Sequence, residues 1–251
     1  MNTLCLLLLT VLPLCSQELI LHAPNREFDF VDQKNGAGNS CGPASLLNAF
    51  GSGSEKWQIV FQKIPGTSDG TRIASVIKSW GLAPSANLPD RKRWDRKGGT
   101  NFIDLGVMAD EMRQLHWSLP KLKSEFFFSA PGAESEAHLK LAHKRLRTSL
   151  KKGFPPLLSV RRFVLRDNQW QSVHGHYVIL VAMPKKIAWG SQSFAVEFID
   201  PTGAKTYRGE ITTSNTLPSL ILTCPTSAIG KSEIKLGEQN ALGLAGAIGA
   251  W

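Results

Sequence analysis

The residues of this 251-residue chain whose types and spacing could do chemistry begin at Asn39-Ser40-Cys41-Gly42-Pro43-Ala44-Ser45-Leu46-Leu47-Asn48-Ala49-Phe50. Ahead of Cys41, Asn35-Gly36-Ala37-Gly38 is loop chemistry: glycines that admit positive φ and an asparagine that bonds its own backbone. Behind it, Ala44, Leu46, Leu47 and Phe50 recur at helical spacing. The pattern places Cys41 at or next to a helix N-terminus, with Pro43 in the first turn, where its missing N–H costs nothing. A thiol there faces the partial positive end of the helix and unpaired backbone N–H groups, and both favour the thiolate that attacks. Taken alone, such a cysteine is a small buried hydrophobe opening a core helix. A base further along the chain gives it a second meaning.

That base lies in Val173-His174-Gly175-His176-Tyr177-Val178-Ile179-Leu180-Val181. Tyr177 to Val181 is apolar, β-branched and aromatic, so a buried strand is expected with His176 at its entrance. Further on, Phe194-Ala195-Val196-Glu197-Phe198-Ile199 alternates like a half-buried strand and stops at Asp200, where Pro201-Thr202-Gly203 signals a turn. Two neighbouring strands of this kind can set the Asp200 carboxylate against the His176 imidazole. Cys41, His176 and Asp200 then supply nucleophile, general base and orienting carboxylate. His174 lies two residues away, on the same side of an extended strand, and is the alternative base. His22, His116, His138 and His143 lie in the arm or on helices with no supporting pattern.

On these residues the chain resembles the C39-like cysteine peptidases of the papain-like superfamily. The resemblance is carried by Cys-Gly-Pro-Ala-Ser-Leu from Cys41, by His176 followed by Tyr-Val-Ile-Leu, and by Asp-Pro-x-Gly from Asp200. Gly153-Phe154-Pro155-Pro156-Leu157-Leu158-Ser159-Val160 is similar to the Gly-x-Pro and apolar strand that precede the family's His strand. These four islands span residues 33 to 203. The resemblance implies a peptidase that cleaves peptide or protein substrates through a thioester acyl-enzyme, with no metal or organic cofactor. It also implies a Gln side-chain amide that holds the oxyanion together with the nucleophile's backbone N–H. Gln33, eight residues before Cys41, fits that role, and Asn35, nearer the usual spacing, is the alternative. An acyl transferase of transglutaminase-like or phytochelatin-synthase-like chemistry would use the same triad. A catalytically inactive binding domain would keep the fold without the reaction.

The elements that must position these groups follow from periodicity. Ile73, Val76, Ile77 and Trp80 form an amphipathic helix with Ser68 and Asp69 as caps and Gly81 closing it. Residues 83–99, rich in Pro, Asn and Arg/Lys, read as an exposed loop. Phe102, Leu105, Met108 or Ala109, Met112 and Leu115 mark another helix, with Asp104, Asp110 and Glu111 as surface charges. Lys123 to Ala130 is a strand or a hydrophobic plug. Leu139, Ala142, Leu146 and Leu150 line a basic helix packed on a sheet. Leu157–Leu165, His176–Ala182, Phe194–Asp200 and Lys205–Arg208 then read as consecutive antiparallel strands. The expected fold is α+β and papain-like: a helical half carrying Cys41 packed on an antiparallel sheet carrying His176 and Asp200, with the active cleft between.

Residues 1–16 are a separate unit. The apolar run Leu4 to Leu14 is too short for a membrane span and fits a secretory signal cleaved after Ser16, so export to the periplasm, the cell envelope or the exterior is expected. Leu12-Pro13-Leu14-Cys15 resembles a lipoprotein site, which leaves lipidation at Cys15 open. Cleavage leaves Cys41 and Cys224, either free or paired; a disulfide between them would abolish the catalytic role, and a free Cys41 is the expectation. The domain is taken as residues 17–225, with 226–251 as a Gly/Ala-rich tail that wraps the domain, packs as a helix or moves freely.

With 42% hydrophobic and 20% charged residues the chain is ordinary globular material, neither disordered nor fibrous. Its net charge is +9, with clusters at Arg91-Lys92-Arg93 and between Lys140 and Lys152. Such charge suits an anionic cell envelope or acidic substrates. No zinc-finger or RNP signature accompanies it, so no nucleic-acid partner is expected and a solvated basic face is the plainer reading.

Overall fold

The computed structural model describes residues 18–128 and 134–251. The leader, with Cys5 and Cys15, lies outside the described residues. After a short strand β1 (Leu21–His22), the chain enters α1 (Cys41–Gly51), α2 (Glu55–Gln62) and α3 (Asp69–Val76), the last running into a π-turn at Ile77–Gly81. A two-residue hairpin, β2 (Trp94–Asp95) and β3 (Gly99–Thr100), leads to α4 (Phe102–Arg113), β4 (Lys123–Phe126) and α5 (Glu134–Lys151). Six strands follow: β5 (Leu157–Arg166), β6 (Gln169–Met183), β7 (Ser193–Asp200), β8 (Lys205–Thr212), β9 (Leu220–Thr223) and β10 (Asn240–Gly249).

Those six strands close into an antiparallel barrel in the order β6-β5-β10-β9-β8-β7, with β7 returning to pair with β6 at Ile199↔Ile179 and Phe198↔Leu180. β1 extends the barrel where β5 stops on β6, and β4 pairs with the end of β10. This corrects the expected papain-like plan: the His and Asp strands belong to a closed barrel, not to an antiparallel sheet packed on a helical half.

The physical reason lies in residues 240–249. The segment expected to be a tail is a barrel strand, paired with β5 over Asn240–Ile248 and with β9 at Gly243 and Leu244. Its small residues let neighbours approach from both faces. A Cβ on Gly246 would stand 2.6 Å from the Glu125 carbonyl oxygen and 2.9 Å from the Phe102 ring. A Cβ on Gly243 would stand 2.8 Å from the Phe163 ring and collide with the Ser219 hydroxyl. A domain boundary at residue 225 therefore cuts through the barrel.

The helices of the first half cover the barrel around α1, whose residues Gly42–Gly51 are all buried. Phe50 packs with Trp57 of α2 and with Phe154 at the start of the barrel, ring centroids 5.9 and 5.5 Å away. Each such ring contributes roughly 1.5–3 kcal/mol relative to staying in water. The helix is locked to β6 by the Ser45 hydroxyl, which donates to the Tyr177 carbonyl at 2.9 Å. Buried Asn48 accepts from the Val31 N–H at 2.7 Å and donates to the Val31 carbonyl at 3.1 Å, tying the N-terminal arm to α1. The Ser68 cap of α3 forms a reciprocal capping box with Thr71.

Asp104 departs from its expected place on the surface. It is fully buried at the start of α4, where it accepts from the Ala86 N–H at 2.7 Å, the Ser85 hydroxyl at 2.6 Å and the Asn101 side-chain amide. It thereby anchors part of the 83–99 segment, whose solvent-like composition hid that role.

Candidate active site

Cys41 is the first residue of α1, so its N–H and that of Gly42 have no acceptor one turn back. The approach to it is a built turn. Asn39 sits in the left-handed region at φ 55°, which asparagine tolerates better than most residues. Its amide donates to the carbonyls of Arg96 and Lys97 at 3.1 and 2.6 Å, and its own carbonyl accepts from the Trp94 indole at 3.1 Å. The basic loop expected to be free surface is thus the support of the nucleophile turn. Cys41 is partly exposed and free; Cys224 is buried and free, so no disulfide joins them.

β6 and β7 bring His176 and Asp200 together. His176 Nε2 lies 2.8 Å from Asp200 Oδ1, and the carboxylate also accepts the Thr202 N–H at 2.7 Å. With Nε2 engaged, Nδ1 is the ring nitrogen left to serve a thiol, and Cys41 lines the same cleft. Burial works against the imidazolium, but the hydrogen bond to Asp200, the neighbouring Cys41 sulfur and the Asp200 charge outweigh it and raise the His176 pKa to about 10. Burial likewise works against the Asp200 carboxylate, but its bonds to His176 and Thr202 hold its pKa below the usual range.

His174 also lines the site, its ring centroid 6.2 Å from that of His176. Burial first, then the charge of His176, lowers its pKa, and the hydrogen bond to Asp200 belongs to His176. Both histidines lie within β6, which starts at Gln169, well before the apolar run that marked its core in the sequence.

Gln33 opens a single 3₁₀ turn, Gln33–Asn35, capped by Asp32. Its N–H donates to the Pro201 carbonyl at 2.9 Å, while Asp32 Oδ1 accepts from the Gly203 N–H at 2.8 Å. The turn carrying Gln33 is therefore bolted to the turn that follows Asp200. Gln33 lines the same cleft as Cys41, and its Oε1 is buried without a partner. Asn35 instead donates its amide to Asp69 Oδ2 at 3.1 Å, outside that cleft. Sequence reasoning missed Asp32, Asn39 and Thr202; only the left-handed tolerance of Asn39, beside its glycines, was a usable signal.

Two clefts flank Cys41, of about 400 Å³ and about 330 Å³, and both include Asn39, His174, Gly175 and His176 in their walls. A larger cavity of about 660 Å³, under the 82–92 loop, contains none of these groups. Among the described residues no three His, Cys, Asp or Glu side chains gather as a metal site, and no helix is long and apolar enough to cross a membrane. A thiol, an imidazole paired with a carboxylate, and a Gln side chain in one cleft are the groups that a nucleophile–base–orienter arrangement with an oxyanion site needs. No protein-family model matches the chain, and no curated protein matches it.

Proposed function

We propose that the protein is an exported cysteine peptidase that cleaves peptide bonds through a thioester acyl-enzyme. The observation that carries this reading is the His176–Asp200 pair, joined at 2.8 Å, in the same cleft as Cys41 at the first residue of α1. The four sequence islands shared with C39-like peptidases support it, and export rests on the leader-like composition of residues 1–16.

In this reading the Cys41 thiolate attacks the scissile carbonyl, and the carbonyl π electrons move to oxygen. The resulting oxyanion accepts hydrogen bonds from the Cys41 N–H and the Gln33 side-chain amide. The His176 imidazolium gives its proton to the leaving amine as the C–N bond breaks. Water, losing a proton to His176, then displaces the Cys41 sulfur and releases the acid. Asp200 holds the imidazole in orientation throughout and gains no proton.

The test is alkylation of Cys41 across pH in the purified mature protein, followed by mass spectrometry with buried Cys224 as internal control. Rapid alkylation that persists below pH 8 and is lost in His176→Ala is expected, followed by cleavage of a peptide library. Cys41 reacting no faster than an ordinary thiol overturns the reading. Added amine in the peptide assay separates hydrolysis from acyl transfer: amide product exceeding acid would make the protein a transferase.

A further inference from the structure

Besides the histidines, the clefts on either side of Cys41 are lined by three Lys or Arg side chains and one carboxylate, and the carboxylate is already engaged. Lys34 and Lys205 line one cleft and Arg161 the other, while Asp200 is held by His176. Arg161 stands on β5 directly opposite Gly175, the residue between the two histidines of β6. It is half-buried, with its guanidinium carbon 5.7 Å from the centroid of the Phe128 ring. No carboxylate among the described residues pairs with it. Arg93, Arg113, Arg145 and Arg166 by contrast each meet an Asp or Glu.

A second group in the same cleft also lacks a partner. Thr100 is 6% exposed, and its hydroxyl makes no hydrogen bond, although its carbonyl accepts from the Tyr177 phenol at 3.0 Å. Ser159 and Ser172 add two more hydroxyls to this wall. An unpaired planar fork of donors with an orphan hydroxyl nearby matches a carboxylate, which takes bidentate bonds from guanidinium and a further bond from O–H.

We propose that this cleft receives a substrate carboxylate, an acidic peptide side chain close to the scissile bond, and that Arg161 is the residue that selects it. The proposal rests on Cys41 being the acyl-transfer nucleophile. Binding would pair the guanidinium and satisfy the Thr100 hydroxyl, so a neutral isostere such as Gln would leave both poorly matched.

The experiment compares iodoacetate with iodoacetamide on Cys41 in the wild type, Arg161→Gln and Arg161→Lys, with glutathione as the reference thiol. It then compares paired peptides that differ only by Glu or Gln beside the cleaved bond. The anionic-to-neutral alkylation ratio should exceed that of glutathione and fall about tenfold or more in Arg161→Gln, the loss of one charged hydrogen bond, with Arg161→Lys between. Glu peptides should outpace Gln peptides, and Arg161→Glu should reverse that order. Fast alkylation of Cys41 with a ratio identical in wild type and Arg161→Gln overturns the acidic-substrate proposal and leaves the nucleophile standing. A wild-type Cys41 no faster than glutathione with both reagents overturns both. Because the readout is a ratio on folded protein, a change in stability in one variant does not mimic the result.

Discussion

His176 and Asp200 meet through a 2.8 Å hydrogen bond, with each side chain 6% exposed. A bond that dry orients the ring, because any rotation of His176 would leave a buried carboxylate without its partner. Asp200→Asn keeps the shape but replaces the acceptor charge. Its kcat/KM on a peptide substrate should fall on the order of 10²-fold or more, mostly in kcat, as expected for a group acting through the base. A profile in which only KM moves would make Asp200 a structural residue.

The pH dependence follows from the same pair. The folded-state pKa of His176 is raised to about 10 from the ordinary imidazole value of 6.5. A raised basic group adds stability that is fully present below pH 6.5 and is lost as pH rises through about 10. Asp200 has the opposite sign: its lowered pKa adds stability above pH 3.8 that is lost as pH falls through the depressed value. The stability gap between wild type and His176→Ala, measured by urea unfolding, should therefore shrink between neutral pH and pH 10.5. Hydrolysis should decline over the same alkaline range as the proton donor to the leaving amine disappears.

Gln33 and Asn35 lie two residues apart but face different partners. Asn35 is committed to Asp69, while Gln33 lines the cleft that holds Cys41. Gln33→Ala should lower kcat about 10²–10³-fold with Cys41 still alkylating rapidly, because an oxyanion donor acts after the thiolate forms. Asn35→Ala should lower the melting temperature by a few degrees and change kcat less than about threefold, since it removes one exposed hydrogen bond. Similar losses of kcat in both would remove Gln33 from the oxyanion site.

β10 makes a prediction about folding rather than chemistry. Gly246→Val places branched carbons against the Glu125 carbonyl and the Phe102 ring and should destabilise the protein by about 1–3 kcal/mol or more, measured by chemical denaturation. Removing residues 226–251 deletes the strand that joins β5 to β9, and the shortened chain should show no cooperative thermal transition. A truncated chain that melts as sharply as the full one would show that the barrel does not need its last strand.

The local chemistry of the site was legible in the sequence. Cys41 at a helix start, His176 on an apolar strand and Asp200 at a strand end all follow from periodicity and turn residues, which act over a few neighbours. The helical arm of Ser68 to Gly81 and the basic amphipathic helix were legible for the same reason. Asp104 was not, because burial with satisfied hydrogen bonds leaves no trace in residue type. Nor was β10, because Gly and Ala carry little hydrophobic signal of their own and become core only when neighbours crowd in from both faces.

By itself, then, the sequence determined which groups could act and on which kind of element each sits. Only the tertiary structure decided that the sheet closes into a barrel, that Gln33 rather than Asn35 lines a cleft with Cys41, and that Arg161, without a carboxylate partner among the described residues, lines the other. These are long-range choices. They depend on which strand edges find partners and which side chains are left facing a cleft, and that is settled by packing between segments distant in sequence, beyond the reach of local patterns.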